Sequence, residues 1–440
     1  MSSKAGTRRV ELEGGATLLL EESHLVPLVA ITVALRTGAL YDPEGREGLY
    51  RYAGRMLRRG AGALSSSDIE DAIDRLGSEI GVDAASSSFS FGGQVIRRSL
   101  DPFVELAGTL LASPTFFEDE AAKLRRESVA ELVEARDNDR SLAQRAFRRA
   151  MFPNHGYGRF ASGTPESVAA ITASEARALH GQHFRQKNAM VTFSGDVDEA
   201  TAVAAATRLL RGLPAGEPTL IETPEPPKVA GRRLVFVDKP ERTQTQILIG
   251  TLGTSATDPD HVPLLIANAV FGGTFTSRLM REVRSKRGWS YGASSRLGID
   301  RRRQSFSMWT FPAATDAAAC IALELELFEA FVKDGITARE LGFIKKYLTR
   351  SYAFEIDTPH KRVHQALDVD LYGLPADYYS SHTAHVDAVT VDAAREAVQR
   401  RLDPESLLFV VVGTAKDILK PIQDAIPRLS ETTVVPFDTL

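Results

Sequence analysis

Apolar residues along this chain follow two rhythms, and their succession lays out two similar halves. Period two marks strands. Residues 16–22 and 28–36 follow it, with Val29, Ile31, Val33 and Leu35 falling on one face. Residues 80–95 alternate over a longer run and predict a long strand or a hairpin. Helical spacing takes over at 48–60, where Leu49, Tyr52, Ala53, Met56 and Leu57 share one face and Arg51, Arg55 and Arg58 another. Further helices are predicted over 102–111 and 119–136, the second carrying Glu127, Glu131 and Glu134 on one stripe. Ser67 with Glu70, and Thr172 with Glu175, have the spacing of helix-starting capping boxes. The half closes on a strand at 189–194 that ends at Gly195.

Pro214, Pro218, Pro224, Pro226 and Pro227 then fall within a short span. Proline fixes φ and removes a donor, so 214–231 reads as a stiff, extended linker. Beyond it the rhythms recur. Strands are predicted at 234–238 and 246–250, helices at 261–270 and 276–287, and a hairpin at 291–299 and 304–311 around a solvated tip, Asp300–Arg303. Helices follow near 315–333 and 338–355, and the last predicted strand, 407–412, closes at Gly413. Thr172 and Thr390 each precede a helix, and Gly195 and Gly413 each end a strand; both pairs lie 218 positions apart (390 − 172 and 413 − 195). An internal duplication is the simplest reading. Strands, then several helices, then a strand predict an α+β fold. Each half would be a mostly antiparallel sheet with helices packed on one side. The expected domains are 1–213, the linker 214–231, and 232–440.

Composition narrows the function. With 43% hydrophobic and 25% charged residues, the 440-residue chain has the make-up of a globular protein. A net charge of −4 and the absence of a Lys/Arg block argue against nucleic acid as a partner. No apolar run is long enough to span a membrane, and the N-terminal LLL is too short for a signal peptide. The expectation is a cytoplasmic protein, or a periplasmic one if a signal has been removed. The single cysteine, Cys320, lies in an apolar run, where a buried thiol is the simpler reading. Three histidine pairs stand at helical spacing: His180/His183, His360/His364 and His382/His385. None has an obvious third ligand nearby in sequence.

Several segments together resemble the insulinase/pitrilysin family of inverzincin metallopeptidases. They are Gly38–Gly45 (GALYDPEG), Glu47–Leu49, Met56–Gly60 (MLRRG), Pro114–Phe116, Ala130–Leu132 and His155–Gly158 in the first half. In the second half they are Asp238–Pro240, Gln246, Gly272–Leu279 (GGTFTSRL), Arg284 and Gly288–Tyr291. The resemblance implies two homologous halves facing each other like a clam shell. Active members bind zinc through the histidines of H-x-x-E-H and a distant glutamate, with the motif's own glutamate as general base. Here the histidine positions hold Arg51 and Arg55 and the base position holds Gly54. Only the distant ligand remains, as Glu131, 76 positions on (131 − 55). One carboxylate cannot hold a catalytic zinc, so no metal is expected in this chain and no peptide cleavage by it alone. Arg51 or Arg55 is expected to pair with Glu131 or Glu127 instead.

The family's second element, an Arg and a Tyr seven positions apart, is present as Arg284 and Tyr291. On residue type alone, an Arg ending a helix and a Tyr opening a strand are ordinary structural residues. The resemblance implies that they bind substrate and stabilise an oxyanion. It therefore implies a heterodimer in which a H-x-x-E-H partner holds the zinc, this chain contributes Arg284 and Tyr291 in trans, and the substrate is an extended or unfolded peptide. The alternative is a structural subunit without peptidase role, like the metal-free core proteins of respiratory complex III.

Overall fold

The computed structural model describes residues 6–440. Its strands build two six-stranded mixed sheets. In the first, β1 (Arg8–Glu11), β2 (Thr17–Glu22), β3 (Leu28–Leu35), β4 (Glu79–Ala84), β5 (Phe89–Ile96) and β6 (Ala189–Gly195) stand in the order β1-β2-β6-β3-β5-β4. The second holds β7 (Arg232–Asp238), β8 (Gln246–Leu252), β9 (Ala293–Leu297), β10 (Ser305–Thr310), β11 (Leu408–Gly413) and β12 (Leu429–Pro436) in the order β12-β7-β11-β8-β10-β9. Five strands match one for one: β2, β6, β3, β5, β4 against β7, β11, β8, β10, β9. β6 lies parallel to β2 and antiparallel to β3, and β11 lies parallel to β7 and antiparallel to β8. The repeated landmarks at Gly195 and Gly413 thus sit at the ends of equivalent central strands.

Alternation along each strand divides the side chains between two faces. In the first sheet Leu18, Leu20, Val29, Ile31, Val33, Leu35, Phe91 and Phe193 join the large core under the helices Leu49–Met56, Ser66–Leu76 and Leu100–Ala112. Leu19, Ala34 and Met190 point the other way and are covered by a single helix, Pro359–Tyr372, through Val363, Leu367 and Leu371. Their i, i+4 spacing puts these three on one stripe. Arg362 Nε donates to the buried Glu21 carboxylate at 2.7 Å and fixes that helix to β2. The second sheet is treated alike. Leu234, Phe236, Ile249, Phe306, Met308, Phe409 and Val411 face one helical layer. The helix Asp139–Met151 lies on the opposite side, with Phe147 over Gly250, and Lys239 Nζ donates to Asp139 at 2.7 Å.

The two compact units therefore do not coincide with the two halves of the sequence. One comprises the chain up to Val133, Arg159–Thr223 and Ala353–Leu374; the other comprises Glu134–Gly158, Pro224–Tyr352 and Pro375–Leu440. Each sheet takes one covering helix from the other half of the chain. The segment 214–230 carries no helix or strand.

Local expectations meet three corrections. The capping box at the second helix is Ser65 with Asp68, two residues before the predicted one, because three serines in a row offer equivalent caps. Residues Met280–Ser285 form a wide π-type turn where a regular helix was expected. The Asp300–Arg303 tip is packed down, with Asp300 buried and Arg303 Nε donating to Gly253 O at 2.8 Å.

Cys320 is buried, as its apolar surroundings predict, and its neighbour Glu324 is fully buried as well. Thr310 Oγ1 donates to Glu324 at 3.1 Å, but burial dominates and pushes the Glu324 carboxyl up to about 8. At pH 7 it is held as the neutral acid, while the unfolded chain releases that proton near the ordinary 4.5. The native state binds the extra proton between those values, so its stability falls as pH rises from about 4.5 to about 8. Glu324→Gln is expected to flatten this slope by up to ~1.4 kcal/mol per pH unit, read from urea unfolding at pH 5, 6.5 and 8.

Candidate functional site

The helix Leu49–Met56 carries the degenerate motif, and the GALYDPEG segment positions it. Gly48 precedes the helix at φ +95°, a left-handed conformation open to glycine. The buried Asp42 carboxylate reaches across and accepts from Gly48 N at 2.8 Å and Tyr50 N at 2.7 Å. It satisfies donors that the helix start leaves free. Burial pushes Asp42 up to about 7, and the two N–H donors oppose that rise. Asp42→Ala is expected to cost ~1–2 kcal/mol, as loss of a helix cap does, measured as a shift in the denaturant midpoint.

The resulting geometry brings together Arg55 and Glu131, which the family resemblance singles out. Arg55 Nη1 and Nη2 donate to the two Glu131 oxygens at 2.8 and 2.7 Å, a forked pair, and Nη1 also reaches Ser128 Oγ at 2.9 Å. Arg51 stands at 4.0 Å from Glu131. The Arg55 fork holds the Glu131 carboxyl below its ordinary value. Arg59, just beyond the helix, grips Glu127 through both terminal nitrogens, and Glu120 lies at 3.8 Å. Arg58 turns away to Glu70 and Ile80 O. The acidic stripe of Glu118–Glu134 is thus met by a ladder of guanidiniums spaced i, i+4. Glu131 is 46% exposed, so the ladder adds little stability in water.

Gly54 adds a steric statement to this electrostatic one. A Cβ built there lies 2.4 Å from Phe89 Cε2 and 3.0 Å from Cζ. Phe89 is buried on β5, against the Tyr50 ring at 5.7 Å and the Phe184 ring at 5.1 Å. The space into which a base at position 54 would project is filled by an aromatic ring. Its one carboxylate is spoken for by Arg55, so the donor set does not fit zinc. Among the described residues no group of three or more His, Cys, Asp or Glu side chains gathers to hold a metal ion.

Arg284 and Tyr291 lie in the other unit. Arg284 sits in the wide turn Met280–Ser285, whose neighbours are neutralised: Arg281, Lys286 and Arg287 all bond to Glu282. Arg278 is forked onto Glu340. The Arg284 guanidinium has no hydrogen-bond or ion-pair partner among the described residues. Its guanidinium carbon lies 4.4 Å from the Tyr291 ring centre and 4.9 Å from that of Phe275. Such contacts fix the fork while leaving its N–H groups free. Gly288, at φ +67°, donates to Arg284 O at 3.0 Å and turns the chain toward β9. Tyr291 precedes that strand and is 78% exposed, Phe275 69%. A tyrosine serving as core would be buried; this one presents its hydroxyl to solvent. Phe275, Arg59 and Phe89 were not singled out from the sequence. Only Phe275 carried a signal, as an aromatic between Thr274 and Thr276 outside any apolar rhythm.

Several known proteins are similar to this chain. Residues 170–348 match the family model described as peptidase M16 inactive domain. A non-peptidase homologue of Helicobacter pylori, YmxG, is 21% identical over 403 residues, covering 91% of this chain and 92% of that protein. An uncharacterised zinc protease of Mycobacterium tuberculosis, Rv2782c, is 24% identical over 412 residues, covering 90% and 91%. Among solved structures, a peptidase M16 inactive domain from Pseudomonas fluorescens superposes with a TM-score of 0.86 at 23% identity, over 93% of this chain and 98% of that one. The first half of the periplasmic protease PqqL from Escherichia coli gives 0.77 at 14% identity, over 98% and 99%. Among the described residues no helix is long and apolar enough to cross a membrane.

Proposed function

We propose that this chain, whose residues 170–348 match the peptidase M16 inactive domain and which is similar over most of its length to a non-peptidase homologue, is the non-catalytic subunit of a heterodimeric zinc metallopeptidase. A homologous subunit with an intact H-x-x-E-H would supply the zinc and the general base. This chain would supply Arg284 and Tyr291. The observation that carries the reading is the state of that pair: a guanidinium without a carboxylate partner, clasped between two exposed aromatic rings, beside an exposed phenol.

The chemistry is electrostatic. When a scissile carbonyl is attacked, its oxygen gains charge that the bound substrate lacks. Tyr291 Oη–H and an Arg284 N–H donating to that oxygen stabilise the transition state over the ground state. The remaining Arg284 donors would hold a substrate backbone carbonyl. The substrate class is an extended, unfolded peptide, whose main-chain groups are free to pair with a sheet edge.

The test is co-expression with a H-x-x-E-H homologue, followed by cleavage of a quenched peptide. Activity is expected only with both chains present. Cleavage by this chain alone in a metal-dependent manner would overturn the reading. A stable complex without any cleavage, unaltered by changes at Arg284, would favour the structural subunit instead.

A further inference from the structure

We propose that His360 and His364 form a two-imidazole site for a divalent transition-metal ion, at the mouth of a cavity beside the first sheet. The pair lies in the first turns of the helix Pro359–Tyr372, the same helix that Val363, Leu367 and Leu371 seat on the sheet. Seating by that stripe fixes the ring-bearing face. The i, i+4 spacing stacks the two side chains on it, and the ring centres stand 4.2 Å apart. Neither ring has a hydrogen-bond partner among the described residues, and the Nε2 atom of His364 is shielded from solvent with no protein group to satisfy it. A shielded polar nitrogen of this kind calls for a ligand.

The other two histidine pairs are used differently. His180 Nε2 bonds to Leu111 O at 2.8 Å, and its ring stacks on Phe184. His382 stacks on Tyr352 with ring centres 4.3 Å apart. Of the three pairs, only His360 and His364 have their two rings against each other among the described residues, tilted by 58°.

The cavity has a volume of about 1220 Å³ and is lined by both histidines, by Asp357 beside them, and by Asp83, Gln94 and Ser194 of the sheet. His360 is exposed and His364 half-buried, which gives an ion a way in. Burial holds both imidazoles below their ordinary 6.5, His364 at about 4, so both are neutral ligands near pH 7 with no proton to displace. Imidazole suits Cu²⁺, Ni²⁺ and Zn²⁺, with Cu²⁺ bound most tightly. Among the described residues no third protein ligand completes the set. The ion therefore keeps open positions facing the cavity, for water or for a carboxylate or amide of a bound molecule.

The test is calorimetric titration of Cu²⁺, then Zn²⁺, into the metal-stripped full chain at pH 7. One equivalent is expected to bind, Cu²⁺ more tightly than Zn²⁺. His360→Gln and His364→Gln should each weaken that equivalent at least tenfold, and the double variant should lose it, while His382→Gln/His385→Gln leaves it unchanged. If the double variant binds within twofold of the natural chain, or the natural chain binds no equivalent, the proposal fails. A second measurement needs no variant fold. Substoichiometric Cu²⁺ should broaden two imidazole proton signals of the natural chain before the others; uniform broadening of all histidines would equally sink the site.

Discussion

Tyr291→Phe and Arg284→Ala are each expected to lower partner-dependent peptide cleavage by ~10²–10³-fold, the usual consequence of removing one oxyanion donor. The two losses should differ in kind. Tyr291→Phe deletes a single hydroxyl from a ring that is 78% exposed, so packing and folding are untouched. An interaction made only in the transition state should then show as a fall in kcat with KM nearly constant. Arg284→Ala removes the fork and with it the substrate carbonyl contact, so KM should rise as well. It also removes the stacking on Phe275 and Tyr291, worth ~0.5–1 kcal/mol at exposed sites, and a melting curve separates that loss from catalysis. Glu131→Gln is the control. It weakens the forked pair with Arg55 in a unit that holds neither Arg284 nor Tyr291. Activities of Tyr291→Phe within threefold of the natural pair would remove the oxyanion role and leave a structural subunit.

The same contrasts show which parts of the molecule were legible in its sequence. Most strands were, because period two reports a face directly: β3 and β8 start at the predicted residues, whereas the outer strands β1 and β12 were not predicted. The closing strands β6 and β11 were equally clear as short apolar runs ending in glycine. The turn at Met280–Ser285 was not. Over six residues an i→i+5 ladder places side chains much as an i→i+4 ladder does, and only the backbone bond from Lys286 N to Arg281 O tells them apart. The exchange of covering helices was invisible for a different reason. Val363, Leu367 and Leu371 announce an apolar stripe, but a stripe does not say which sheet it will cover. Glu131 was found through the family resemblance, since a separation of 76 residues has no meaning in periodicity. Once that carboxylate is placed, the complementary charge of Arg55 follows from ordinary electrostatics. The ring beneath Gly54 comes from β5, 35 positions away (89 − 54), and only packing reveals it.

That ring supplies the second large effect. Gly54→Glu is expected to destabilise the chain by ~3 kcal/mol or more, because the substituent must enter a filled space and carry a charge into it. The first atom already decides the sign. A Cβ at position 54 meets Phe89 Cε2 at 2.4 Å, and Phe89 is held by Tyr50 and Phe184 and cannot swing clear. Gly54→Ala isolates this clash. Helix propensity alone favours alanine over glycine by ~1 kcal/mol, so a net loss of stability would measure overpacking directly. Phe89→Ala opens a cavity at a cost of ~3–5 kcal/mol, yet it should relieve the clash, so the Gly54→Ala/Phe89→Ala pair should lose less than the sum of its single changes. Urea midpoints of the four proteins give that coupling. Additive losses would mean that Phe89 does not occupy the base position. Strong coupling would mean that restoring histidines at 51 and 55 with glutamate at 54 cannot rebuild a zinc site unless Phe89 is replaced too. The degenerate motif would then be a repacked helix, with Arg55 on Glu131 neutralising its acidic neighbour and Phe89 filling its centre.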